Sequence, residues 1–153
     1  HNGDGAKGWI INKILDNRVA VRLRKSIQLG IQSDIYYGGP VETNQCFVLH
    51  TKDIMLAQTT LLNENLCVTR DKAIITTLNE NRFPQHYRII IGSSSWGPGQ
   101  LESELLGSRT NGASSWCSFP YTEDFMWNTE PQQQWNTGIE QSAKSKVTNY
   151  LNF

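Results

Sequence analysis

The chain has 153 residues, enough for one domain with a core of its own. Lysine and arginine number 14, aspartate and glutamate also 14, so the formal net charge is zero, which disfavours non-specific binding to DNA through phosphate neutralisation. The three cysteines, Cys46, Cys67 and Cys117, are far apart and lack zinc-finger or redox-motif spacing, so they read as reduced, buried thiols of a cytoplasmic protein.

In chain order, Gly8-Trp9-Ile10-Ile11-Asn12 reads as a short buried strand. Val19, Leu23 and Ile27 then recur at helical spacing, with Asn17 placed to cap the helix. Arg18, Arg22, Arg24 and Lys25 make this segment a local basic patch, the one candidate surface for nucleic acid. Most such charge blocks are simply solvated faces. Residues 34–37 form a second strand, closed by Gly38-Gly39-Pro40, where paired glycines suit a bulge or a turn with positive φ.

Cys46-Phe47-Val48-Leu49-His50 is apolar on both faces until His50 and is expected as a central strand. A histidine there reads first as a buried ring hydrogen-bonded to backbone. Residues 55–60 and 66–69 are expected to form a hairpin around Asn63-Glu64-Asn65. Asp71 is placed to cap a helix with Ile74 and Leu78 on its inner face, and residues 87–92 form the next strand.

Ser95-Trp96-Gly97-Pro98-Gly99-Gln100 follows as a tight turn into a helix, with Pro98 expected at the first helical position. Gln100 stands where its side chain can reach back to a free amide of the first turn. Leu101 and Leu105 would bury this helix, and Glu102 and Glu104 would complement its dipole. Residues 108–115 read as a loop, and 116–119 as a brief extended piece. Trp135, Ile139 and Ala143 recur on a last helix whose tail frays. Trp9, Trp116, Trp127 and Trp135 are expected in the core or at its edge, and Trp96 partly exposed. The interleaving of strands and helices predicts a mixed α/β or α+β fold.

The chemistry-bearing patterns are thin. Ser95-Trp96-Gly97 matches the latter half of a nucleophile elbow, but Ser93 replaces its first glycine and His1, His50 and His86 all precede the serine. No His/Cys spacing suits a metal, no phosphate-loop or dinucleotide pattern appears, and no cofactor is expected. The amides of the turn at Gly97 and Gly99 could receive a small anion, with Trp96 as a wall. The same glycines also allow close packing of backbone. No stretch is long and apolar enough to span a membrane.

Four pieces in order carry a resemblance: Gly5-Ala6-Lys7-Gly8-Trp9-Ile10-Ile11-Asn12, Tyr36-Tyr37-Gly38-Gly39-Pro40-Val41, Phe47-Val48-Leu49-His50, and Trp96-Gly97-Pro98-Gly99-Gln100-Leu101-Glu102. Together they resemble the bacterial AlgH/YqgE family, over nearly the whole chain. The resemblance implies an α+β fold, a single domain over 1–153 with a bifurcated, partly barrel-like sheet flanked by helices. It implies no agreed activity, although one member is named as a regulator of alginate production.

Two departures stand out. Family members usually carry a further strand-forming segment before the residues matching His1. Gly92-Ser93-Ser94-Ser95-Trp96 also lacks the aromatic and the last glycine that the family tends to have there. The expectation is therefore a non-enzymatic cytoplasmic binding or regulatory protein, its surface centred on Gly38, Gly39, Pro40, His50, Trp96, Gly99 and Gln100. Its partner would be a small anion or another protein. A hydrolase or transferase acting on a small anionic metabolite is the alternative, and a nucleic-acid-binding regulator the second.

Overall fold

The computed structural model describes residues 1–70, 72–106 and 116–151. These group into two compact units, one of residues 8–94 and one of residues 1–7 with the described residues from Ser95 onward. The class is α+β, with a forked, half-barrel sheet.

The first unit is built on β2 (Ile35–Tyr37), β3 (Val41–Thr51), β4 (Thr59–Leu61), β5 (Leu66–Thr69) and β6 (Tyr87–Trp96) up to Ser94. Their order across the sheet is β2-β6-β3-β5-β4. β2 runs parallel to β6, whereas β3/β6, β3/β5 and β4/β5 are antiparallel. Strand β3 is central and buried on both sides over its second half, as its apolar run predicts. Val48 pairs with Ile89 on one side and Thr69 on the other. The β4–β5 hairpin turns where expected, because the Asn63 side-chain oxygen accepts from the Asn65 and Leu66 amides.

Helices α1 (Asn17–Ser26) and α2 (Lys72–Asn79) complete the core. Ile35, Val48, Ile74, Ile75, Leu78 and Ile89 form its centre, with Ala20 and Leu29 beside them. Asp16, not Asn17, caps α1 by accepting from the Arg18 amide. Its inward stripe is Ala20, Leu23 and Ile27, and the expected Val19 faces solvent.

Both helices end in a Schellman motif. After α1 the Gln28 amide donates to the Lys25 carbonyl and the Leu29 amide to that of Arg24, with Gln28 at φ +59°. After α2 the Asn81 amide donates to Leu78 and the Arg82 amide to Thr77, with Asn81 at φ +58°. Asn79 joins the two ends: its side-chain oxygen accepts from Gly30 and its amide donates to the Gln28 carbonyl. The expected Asp71 cap lies outside the described residues.

Residues 9–12 are not a strand. They run beside β2 without forming a ladder: Ile10 donates to the Gly38 carbonyl and Tyr37 to that of Lys13. The buried Arg88 guanidinium holds the Ile11 carbonyl at 2.7 Å and lies over the Tyr36 ring.

In the second unit, β1 (Ala6–Gly8) begins and lies beside the end of β6, which continues beyond the expected Gly92 as far as Trp96. Helix α3 (Gln100–Leu105) starts two residues later than Pro98, with Gly99 as its N-cap at φ +70°. None of its residues is buried, so Leu101 and Leu105 do not form a core stripe. A π-helical turn over Asp124–Asn128 precedes α4 (Gln134–Leu151).

Helix α4 is inverted relative to its sequence pattern. Gln134, Gly138 and Ser142 face inward, while Trp135 is 69 % exposed and Ile139 and Ala143 face solvent. The π turn explains this. Its Phe125 carbonyl needs a donor, which Gln134 supplies at 2.8 Å, and the Phe119 ring packs against Gly138, where a side chain would crowd it. The loop expected at 108–115 lies outside the described residues.

Candidate functional site

The residues singled out by sequence fall into both units. Gly38, Gly39, Pro40 and His50 belong to the first, and Trp96, Gly99 and Gln100 to the second.

In the first unit the glycines serve close backbone approach. A Cβ at Gly38 would be driven into the Gly92 carbonyl and the Ile90 side chain. One at Gly39, which has φ +147°, would strike the Ser93 carbonyl, and Gly92 at φ +80° faces the Gly39 carbonyl in return. This is glycine packing between two strands. Pro40 is exposed. Ser93, fully buried, donates to the Glu42 carboxylate at 2.7 Å.

His50 is 0 % exposed and bonded at both ring nitrogens. A carbonyl only accepts, so Nδ1–H donates to Thr51 O at 2.7 Å. Nε2 of the neutral ring then accepts from the Thr69 hydroxyl at 2.8 Å, and Thr69 accepts from Thr59 at 2.6 Å. The Leu56 amide, donating to Thr59 Oγ1, closes the chain. Burial lowers the His50 pKa, against smaller opposing effects of the Thr51 carbonyl and the Asp53 carboxylate.

In the second unit the turn is tied by side chains. Gln100 Oε1 accepts from the Gly97 amide at 3.1 Å, the reach-back its position predicts. Its amide nitrogen donates to Glu104 Oε1 at 3.2 Å, and the Trp96 indole N–H donates to Glu104 Oε2, also at 3.2 Å. One carboxylate therefore fixes both the aromatic ring and the capping amide. Trp96 is half-buried and meets Trp116 edge-on at 6.2 Å between ring centroids. Trp116 and Trp135 are more exposed than Trp96, contrary to their expected place in the core. Glu102 contacts the His1 ring. Gly97, Pro98 and Gly99 are exposed.

Sequence reading missed Glu104. It treated the residue as a dipole complement, and only the spacing of Gln100 and Glu104, four apart on a helix, hinted at contact.

The basic patch is partly dispersed. Arg18, Arg22 and Lys25 lie on the exposed side of α1, whereas Arg24 is half-buried and donates through Nε and Nη2 to the Ser33 carbonyl. Among the described residues no group of three or more His, Cys, Asp or Glu side chains is arranged to hold a metal. Cys46 is half-buried, its thiol pushed up to about 12 by burial; Cys67 is buried and also raised by burial, and Cys117 is exposed, contrary to the expected burial of all three. No helix among the described residues is long and apolar enough to cross a membrane.

Residues 1–145 match the family model described as AlgH-like. The chain belongs to the AlgH-like family. It is 30 % identical over 147 residues to a UPF0301 protein of Shewanella loihica, spanning 92 % of this chain and 76 % of that protein. The UPF0301 protein of Idiomarina loihiensis is 29 % identical over the same length and shares. The solution structure of the AlgH protein from Pseudomonas aeruginosa is similar with a TM-score of 0.73 at 26 % identity, over 92 % of this chain and 74 % of that one. A crystal structure of protein DIP2367 from Corynebacterium diphtheriae shares the fold at TM-score 0.52 and 17 % identity, over 69 % of this chain and 57 % of that one. The AlgH-like fold is thus common to chains that have diverged widely in sequence.

Proposed function

We infer that this AlgH-like chain is a non-enzymatic binding or regulatory protein of the cytoplasm whose recognition surface is the turn at Trp96–Gln100. The observation that carries this reading is the pre-organised ring of Trp96. Its indole N–H is held by Glu104, which also holds Gln100, which in turn caps Gly97. A half-exposed tryptophan fixed before binding loses little conformational freedom on association, the property of an anchor residue. Trp116 extends the aromatic surface, and Glu102 and Glu104 give it negative charge. A protein segment carrying cationic and apolar side chains matches that surface, because Arg or Lys can lie over an indole beside a carboxylate. Gly38, Gly39, Pro40 and His50 serve in this reading as scaffold.

The test is a titration of the intact chain with peptides alternating arginine and leucine, followed by tryptophan fluorescence. Binding weakened about tenfold or more by Trp96→Phe or Gln100→Ala, and unchanged by Arg18→Ala, supports the reading. Equal binding of a glutamate–leucine peptide overturns it. Turnover of a phosphate or carboxylate ester by the pure chain favours the hydrolase alternative instead.

A further inference from the structure

A cavity of about 320 Å³ opens in the first unit. It lies among the C-terminal end of α1, one side of α2 and the first half of β3. Its volume is at the lower end of the range for small-molecule pockets. Ile27, Ile74 and Ile75 give it apolar lining, together with the Cys46 thiol. That thiol stays neutral, its pKa pushed up to about 12 by burial.

The polar lining has a direction. Arg70 and Lys72 line the cavity, both exposed, and neither enters an ion pair among the described residues. Gln45 lines it as well, with its amide nitrogen donating to the Cys46 and Arg70 carbonyls. This fixes the Gln45 side chain and leaves its oxygen as the acceptor. Asn79 is already used, clamping Gly30 and Gln28. No carboxylate is among the described lining residues, and the last turn of α1 carries Arg24 and Lys25. Isoleucine surface beside two cations that form no ion pair among the described residues is complementary to an anionic group on an apolar body.

We propose that this cavity binds a small organic anion, its phosphate or carboxylate held by Arg70 and Lys72 and its apolar body lodged against Ile27, Ile74 and Ile75. The site is distinct from the Trp96 turn, and each can fail without the other. Phosphate and carboxylate share the chemistry of the site, and direct comparison separates them.

The experiment is an amide chemical-shift titration of the isotope-labelled chain with phenyl phosphate, phenylacetate, inorganic phosphate and benzyl alcohol. Saturable shifts at Gln45, Cys46 and Ile75 with at least one aromatic anion are expected, and the tighter of the two names the head group. The double variant Arg70→Gln, Lys72→Gln should weaken that binding by about tenfold or more while amides outside the cavity keep their positions. Three results overturn the proposal: no saturable shift with either anion, equal binding of benzyl alcohol, or undiminished affinity in the double variant. Inorganic phosphate binding as tightly as phenyl phosphate also overturns it, because the apolar body would then contribute nothing.

Discussion

The hydroxyl of Thr69 donates to Nε2 of His50 across 2.8 Å in the interior of the sheet, and both residues are fully buried. Removing the hydroxyl with Thr69→Val leaves a buried acceptor unpaired and also strands the Thr59 hydroxyl that donates to it. A loss of about 1–3 kcal/mol is expected. Urea denaturation of the two proteins measures it, and an unchanged midpoint would show that the chain of hydroxyls contributes nothing to stability.

The same histidine sets a pH dependence. Its pKa in the folded protein is lowered below 6.5, chiefly by burial. Well above 6.5 neither folded nor unfolded chain protonates the ring, and this group gives no slope. Below that pH the unfolded chain takes up a proton that the folded one refuses, so stability falls until the folded pKa is reached. Following the His50 ring signal by NMR from neutral to acid pH should give a midpoint below 6.5, and a midpoint above it would reverse the sign.

Gly38→Ala should be costly and Pro40→Ala nearly silent, although the two positions are neighbours in one turn. The added methyl at position 38 has to displace the Gly92 carbonyl or the Ile90 side chain. Overpacking of this kind costs about 1–3 kcal/mol, whereas an exposed substitution usually stays within about 0.5 kcal/mol. Thermal unfolding of both variants makes the comparison.

The inverted face of α4 predicts an unusual ranking. Trp135→Ala removes a large apolar side chain that is 69 % exposed, and should change stability by less than about 0.5 kcal/mol. Gln134→Leu removes the donor to the Phe125 carbonyl and should cost about 1–3 kcal/mol despite adding apolar surface. Equilibrium unfolding of the two variants in the opposite order would mean that the apolar stripe, not the polar one, faces inward.

Gln28 occupies a left-handed conformation with φ +59° that glycine adopts without strain. Gln28→Gly keeps the backbone carbonyl that Asn79 holds, and should raise stability by up to about 1 kcal/mol. Asn79→Ala should lower it by about 1–2 kcal/mol through loss of both clamps. A differential melting experiment checks the two together.

The central sheet was readable because it obeys one rule. Residues 46–50 and 66–69 are apolar runs flanked by turn residues, and burial on both faces follows. The end of β6 was not readable, since Ser93, Ser94 and Ser95 lack strand composition. Ser93 can be buried there because its hydroxyl donates a hydrogen bond to Glu42. Helix α4 misled for a related reason: its inward face was chosen by the carbonyl demand of a π turn, which no periodicity announces. At the Trp96 turn the Gln100 contact was legible from local spacing, but Glu104 reaches a ring eight residues back through the folded turn. The cavity was wholly hidden, because Gln45, Arg70 and Ile75 come together only after the sheet and α2 have packed.

The unequal environments of the three cysteines give the molecule a built-in handle. Cys46 and Cys67 have thiols that burial keeps protonated, while Cys117 is exposed and adjoins Trp116, whose ring meets that of Trp96. An alkylating dye at neutral pH should therefore attach at one position without any substitution. It would sit beside the aromatic pair, reporting on the surface through which this chain is inferred to recognise its partner.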